Sequence, residues 1–77
     1  MIEEHASVVL TEPLPSVGLE AGDVGVVVHV QRNGEAFEVE FMTLDGTTLT
    51  VETLMPEQIR APGDRDIPHV RERTVPA

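Results

Sequence analysis

The stretch that decides the fold is residues 24–41, VGVVVHVQRNGEAFEVEF, in which two alternating segments flank an Asn-Gly pair. Alternation of apolar and polar residues with a period of two is typical of β-strands that bury one face. It predicts strands over Val24–Val30 and Phe37–Phe41. Asn33 and Gly34 tolerate the positive φ of a type I′ turn, so we predict a two-residue loop and an antiparallel hairpin.

This loop fixes which residues of the two strands face each other. The predicted inner-face pairs are Val30 with Phe37, Val28 with Val39 and Val26 with Phe41. Every inward residue then faces another apolar residue. The same register places Val27 on the outer face.

The next turn is predicted at Asp45-Gly46, and two registers compete for it. A two-residue loop would set Glu52 opposite Val39 and bury a carboxylate. A three-residue loop, with Gly46 in the left-handed position of a G1 bulge, pairs Phe41 with Leu49 and Val39 with Val51. We therefore predict the three-residue loop, because strand register follows the hydrophobic pattern.

The remaining segments complete a small all-β fold. They are a first strand over residues 7–11, a long loop over 12–23 and, after residue 54, a 3-10 turn and a short closing strand over 59–61. Together they predict a five-stranded SH3-like barrel over residues 1–61. Residues 62–77 are rich in Pro and Arg and are predicted to form an extended or disordered tail.

Two glycines bracket the entry to the central strand. Gly22 is expected to turn the chain, and Gly25 to relieve crowding on a twisted strand. The segment from Gly22 to Val27 is also similar to the glycine-hinged strand entry of KOW-type barrels in ribosomal and transcription proteins. The structural interpretation of both glycines is the simpler one.

Composition narrows the possible partners. The net charge is −9 with no lysine, which argues against nucleic acid, because Lys and Arg supply most of the affinity for phosphate backbones. A basic protein surface suits the chain better. There is no cysteine, no long apolar run and no basic N-terminal start, so we expect a cytoplasmic protein that does not bind membranes.

Catalytic and metal-binding patterns are not found. The three histidines are not spaced to place ligands together on one element. Ser7 and Ser16 have no neighbouring histidine, and carboxylates on an open sheet face would not be desolvated. We therefore expect no enzyme activity, no cofactor and no metal.

The motif that runs from Leu14-Pro15 through Gly18-Leu19 and Gly22 to Val28 continues in residues 37–41, 45–46 and 53–54. In this combination the chain resembles the small bacterial domain of unknown function family 4926, over roughly residues 3–61. The resemblance implies an SH3-like fold and supplies no activity. It also implies a small stand-alone protein of a kind sometimes found in gene pairs suggestive of toxin and antitoxin, which favours a protein partner.

The predicted registers define a docking face on the outer side of the second to fourth strands. Its residues are His29, Glu38, Glu40, Glu52, Val27 and Met42. Glu38 would lie between His29 and Glu52, and opposed carboxylates destabilise a sheet. Two interpretations remain open. Either a cation lies here, from a partner or from Arg65, Arg71 or Arg73 of the tail, or both carboxylates are solvated and screened.

We predict a non-catalytic interaction module, such as an antitoxin, immunity or accessory protein, that binds a basic protein surface. The alternative is a structural or regulatory subunit that docks hydrophobically on an enzyme or self-associates. Val27 and Met42 support this alternative, because they would form an exposed apolar patch.

Overall fold

The computed structural model describes residues 2–72 and has an all-β architecture. Its strands are β1 (Ser7–Leu10), β2 (Val24–Gln31), β3 (Ala36–Met42), β4 (Thr48–Leu54) and β5 (Ile59–Arg60). Two 3-10 turns, Pro15–Val17 and Pro56–Gln58, precede β2 and β5. The predicted bounds of β1, β2, β3 and β5 are confirmed to within one or two residues, and the 3-10 turn before β5 is confirmed as well.

The five strands form one antiparallel sheet in the order β4-β3-β2-β1-β5. This confirms the small SH3-like all-β class. Strands β4 and β5 are the two edges of the sheet. Over residues 2–72 the sheet is therefore open, and the predicted closed barrel is not formed.

The β2–β3 hairpin follows the predicted register only near its turn. Val30 pairs with Phe37 as predicted, but the register shifts between Val27 and His29, so Val27 pairs with Val39. A β-bulge adds one residue to one strand and reverses which residues face inward beyond it. Val27 is consequently buried, and its predicted place on the outer face is wrong; Val28, predicted to face inward, is 38% exposed. A run of three valines does not distinguish these registers.

The β3–β4 hairpin has the predicted turn but not the predicted register. The backbone NH of Thr43 donates to the carbonyl of Thr47 at 2.9 Å, and Gly46 has φ of 89°. Leu49 is then the extra residue of a bulge, since Met42 pairs with Thr48 and Phe41 with Thr50.

This second bulge sets Glu52 opposite Val39, in the register rejected because it would bury a carboxylate. Glu52 is only half-buried, because β4 is an edge strand, and it accepts a hydrogen bond from the Thr50 hydroxyl. An edge strand thus accommodates a carboxylate that a central strand would not.

The core lies on the inner side of the sheet. Its largest fully buried side chains are Phe41, Leu10, Val8, Val27 and Val39. Gly25 is packed against them: an added Cβ would lie 2.5 Å from Cγ1 of Val39 and 2.9 Å from Cε1 of Phe41. Only glycine therefore permits this approach of β2 to β3.

The described part of the tail, residues 61–72, forms neither helix nor strand. Arg60 donates from both Nη atoms to Asp66, at 2.8 and 2.9 Å, and so fixes the first bend of the tail. The tail then crosses the sheet beside Val9, which lines a cavity together with Ile67 and Pro68. Val9 is buried although it lies outside the main core cluster.

Candidate functional site

The predicted docking residues divide between the two sides of the sheet. His29, Glu38, Glu40 and Met42 lie on the outer side of β2–β4; with Val51 we call this surface the acidic face. Val27 and Glu52 do not belong to it, because the two bulges turn both residues to the inner side.

Glu38 lies opposite His29 as predicted, but its other neighbour is Thr53 rather than Glu52. The expected opposition of two carboxylates is therefore wrong. Gln31 donates from Nε2 to Glu38 at 3.4 Å, and the hydroxyl of Thr48 donates to Glu40. Among the ion pairs of residues 2–72, none involves Glu38 or Glu40.

Apolar side chains lie among these carboxylates. Glu40 faces Val26 on one side and Val51 on the other. Val51 is 49% exposed and Met42 is 43% exposed. The acidic face therefore combines unpaired negative charge with accessible apolar surface.

Of the residues expected to form turns, Gly22, with φ of 95°, lies in the loop before β2, and the others lie at the two hairpin ends: Asn33, Gly34, Asp45 and Gly46. Asn33 and Gly34 have φ of 59° and 104°, and Arg32 joins them in the left-handed region with φ of 47°. The turn therefore has the predicted position but spans residues 32–35 rather than two residues, because the backbone NH groups of Gly34 and Glu35 both donate to the Gln31 carbonyl. Asp45 accepts a hydrogen bond from the backbone NH of Thr47 at 3.1 Å. Both sites hold hairpins in place and lack the features of a ligand site.

A second acidic surface lies at the end of the loop between β1 and β2. It consists of the carboxylates of Asp23 and Glu20 and the backbone carbonyl of Gly18, and we call it the acidic notch. Arg71 of the tail occupies it. The arginine donates from Nε to Oδ1 of Asp23 at 2.9 Å and from Nη2 to Oδ2 at 2.6 Å. Nη2 also donates to the Gly18 carbonyl at 3.0 Å, and Nη1 lies 3.6 Å from Glu20.

The loop itself holds Asp23 in position. Gly18 ends the first 3-10 turn in the left-handed region with φ of 72°. The backbone NH of Glu20 then donates to Oδ2 of Asp23 at 2.8 Å, and the Asp23 NH donates to the Glu20 carbonyl at 3.1 Å. The Asp23 side chain is only 12% exposed, so its orientation is set by the loop.

The electrostatics of the notch favour an ionised Asp23. Burial alone would raise the pKa of its carboxyl, but hydrogen bonds from Arg71, the Glu20 backbone and His69 outweigh burial and lower the pKa from 3.8 to about 2. Nε2 of His69 lies 3.0 Å from Oδ1 of Asp23, where a protonated Nε2 donates to the carboxylate. The oxygens of the notch therefore accept hydrogen bonds from a cation that carries several donors.

The tail reaches the notch with two side chains on the same side of an extended segment. His69 and Arg71 are two residues apart, and alternate residues of extended chain point the same way. The sequence pattern does not single out this pair with Asp23, because 46 and 48 residues separate them. The uneven charge is the one available signal: residues 1–59 hold eleven acidic residues and one arginine, and residues 60–77 hold three acidic residues and four arginines.

A cavity of about 390 Å³ adjoins the notch, between the loop and the β3–β4 turn. The sheet contributes mainly apolar side chains to it, among them Val24, Met42 and Leu49. Residues 69–72 of the tail form part of its wall. This cavity therefore depends on the tail for its shape.

The tail reaches a different surface from the one expected. Arg71 folds back onto Asp23 and Glu20, whereas Glu38 has no tail arginine among the described ion pairs. Arg65 forms no ion pair within residues 2–72. Arg73 lies outside the described residues.

The part of the chain that the structure describes contains no group of three His, Cys, Asp or Glu residues arranged to hold a metal ion. It also contains no helix long and apolar enough to cross a membrane.

Comparison with known proteins identifies the family. Neither a curated protein nor a solved structure matches the chain significantly. A family described as "Domain of unknown function (DUF4926)" matches residues 4–61, which span β1 to β5, both bulges and the acidic notch, and leave out the tail. With most of its length covered by that match, the chain belongs to the DUF4926 family.

Proposed function

We propose that this protein is a non-catalytic interaction module whose acidic face binds a basic protein surface. The observation that carries the proposal is that the carboxylates of Glu38 and Glu40 have no cationic partner among residues 2–72. Both residues are half-buried on the outer side of β3. A partner's Arg or Lys would supply that cation and form charge-assisted hydrogen bonds.

The overall charge supports the same conclusion. Residues 1–59 hold eleven acidic residues against one arginine, a balance of −10. A field of one sign attracts partners of the opposite sign and raises the association rate, an effect that salt weakens. It also disfavours nucleic acid, whose phosphates would be repelled.

Small cytoplasmic proteins with this chemistry include antitoxin, immunity and accessory proteins, each of which acts by covering a surface of another protein. Such a role needs no cofactor and no catalytic residue. It needs a stable sheet that presents a surface complementary to the partner, and the charge of the acidic face supports this role.

A test uses the full chain as bait in native lysate, with Glu38→Gln combined with Glu40→Gln as the variant. The matched control is Glu12→Gln with Glu57→Gln, which removes two exposed carboxylates away from the acidic face. We expect a basic protein to be captured by wild type and control, to be reduced several-fold by the variant, and to be lost with added salt. Equal capture by all three baits would contradict the proposal.

A second candidate function is hydrophobic docking or self-association through the same side of the sheet. The exposure of Val51, Met42 and Val28, at 49%, 43% and 38%, favours it. Sedimentation at several protein and salt concentrations separates the two candidates. A dimer that salt does not dissociate supports the second, because apolar burial is not screened.

A further inference from the structure

We infer that the acidic notch is a binding site for an arginine in an extended segment of a partner protein, and that this chain's own tail competes for it. The inference rests on the proposed function, since it names a second surface through which a basic partner is held. It assigns to the tail the role of an internal competitor.

The notch belongs to the domain and its occupant does not. Gly18, Glu20 and Asp23 all lie within the segment that the family matches, residues 4–61, whereas His69 and Arg71 lie beyond it. Hydrogen bonds within the loop already orient the Asp23 carboxylate. The domain therefore supplies hydrogen bonds of its own that orient Asp23, in addition to the contacts from the tail.

The geometry selects arginine over lysine. One edge of the guanidinium group donates to both carboxylate oxygens of Asp23, through Nε and Nη2. Nη2 donates to the Gly18 carbonyl as well. The ammonium group of a lysine is a compact point charge and cannot make this bidentate contact. A donor two residues earlier, the position of His69, adds a contact to Oδ1 of Asp23.

The tail is weakly held elsewhere, so exchange with a partner segment is feasible. Residues 61–72 pair with no strand, and Ile67 and Val70 are 88% and 78% exposed. On the sheet, the tail lines a cavity together with the buried side chain of Val9. A partner arginine offers the same polar contacts and can place its neighbouring side chains in the apolar cavity beside Val24 and Met42.

The experiment measures binding of a fluorescent peptide with the sequence of residues 65–72 to the full-length protein. Wild type is compared with the double variant His69→Gln and Arg71→Gln, which empties the notch by changing only tail residues. We expect the variant to bind the peptide about tenfold more tightly. A tail that occupies the notch about nine-tenths of the time leaves it free for about one-tenth, which weakens the apparent affinity of the wild type for the peptide about tenfold. A peptide with glutamine in place of the arginine at position 71, and with the arginine at position 65 kept, should not bind.

Two further variants identify the site within the released protein. Adding Asp23→Asn should abolish peptide binding. Adding Glu20→Gln, at a side chain that is 64% exposed and therefore dispensable for folding, should weaken it several-fold and reduce its salt dependence. Failure of the released protein to bind the peptide, or equal binding of the glutamine peptide, would overturn the inference.

The result of the peptide experiment is independent of the result of the capture experiment on the acidic face. Loss of partner capture on Glu38→Gln with Glu40→Gln can occur whether or not the peptide binds the notch. A wild-type dimer that disappears in the His69→Gln, Arg71→Gln variant would instead assign the notch to the tail of a second copy and overturn the assignment to a partner protein.

Discussion

Asp23 shows how one side chain can connect distant parts of a small chain. It ends the loop before β2, accepts a hydrogen bond from the backbone of its own loop, and binds two side chains of the tail. These contacts stabilise its ionised form. The stability of the fold should therefore depend on the charge of this residue.

The pKa of Asp23 is lowered to about 2 in the folded protein, from an ordinary value of 3.8. Between these values the unfolded state binds more protons than the folded state, so the contribution is complete above about pH 4 and is lost as the pH falls toward 2. We expect wild type to lose on the order of 2 kcal/mol more stability than Asp23→Asn over this range. Urea unfolding at closely spaced pH values measures the difference.

The control for this titration is Asp64→Asn, which changes an exposed carboxylate of the tail that has no ion pair among the described residues. Its stability curve should run parallel to that of wild type. Parallel curves for Asp23→Asn and wild type would show that the notch does not stabilise the fold.

At the scale of the strand, the turns were predictable and the bulges were not. Asn33-Gly34 and Asp45-Gly46 indicate their hairpins because positive φ is required there. Each bulge instead lies where the neighbouring residues are alike: valines 26–28 in β2, and the alternating threonines of β4. A shift of one residue changes little in the local pattern, and tertiary packing against Val39 and Phe41 decides it.

Within the candidate site, the side chains between each turn and its bulge were predictable, and those beyond a bulge were not. Glu38, Glu40 and Met42 lie on the predicted side because β3 alternates without interruption, and His29 does so because it lies between the turn and the bulge of β2. Val27 and Glu52 were misplaced because each lies beyond a bulge from the turn used to set its register. The acidic notch depends on contacts across 46 or more residues, which no local pattern contains.

The β3–β4 register is tested by two substitutions in β4. Val51 lies on the outer side opposite Glu40, so Val51→Thr should cost less than about 0.5 kcal/mol, as exposed substitutions do. In the register that pairs Val51 with Val39, the same substitution would remove a core contact and lower the stability by more. Leu54→Ala, at a residue that is 2% exposed, is the positive control and should cost about 2–5 kcal/mol. A cost for Val51→Thr approaching that of Leu54→Ala would contradict the register.

At the scale of the whole molecule, the tail is a separate layer over the outer side of the sheet. Residues 61–72 contact the domain through the Arg60–Asp66 ion pair, through the contacts of His69 and Arg71 in the acidic notch, and through the cavity that they share with Val9. None of residues 61–72 belongs to the core cluster. The domain and the tail should therefore respond differently to truncation.

We predict that residues 1–61 remain folded without the tail. Deleting residues 62–77 should lower the stability by about 1–2 kcal/mol, the net value of a few hydrogen bonds to charged groups, with a cooperative transition retained. Arg71→Gln in the full chain should reproduce most of this loss. Thermal unfolding followed by circular dichroism measures both. A truncated chain that is unfolded at room temperature would show that the tail is part of the domain.

The position of Arg71 also matters for how this protein is handled. A tag added after residue 77 begins within about 25 Å of the acidic notch, the reach of seven extended residues. Histidines or arginines in such a tag would lie near Asp23 and Glu20 at a local concentration in the millimolar range. They would then compete with any ligand in an affinity measurement. Untagged or N-terminally tagged protein avoids this competition.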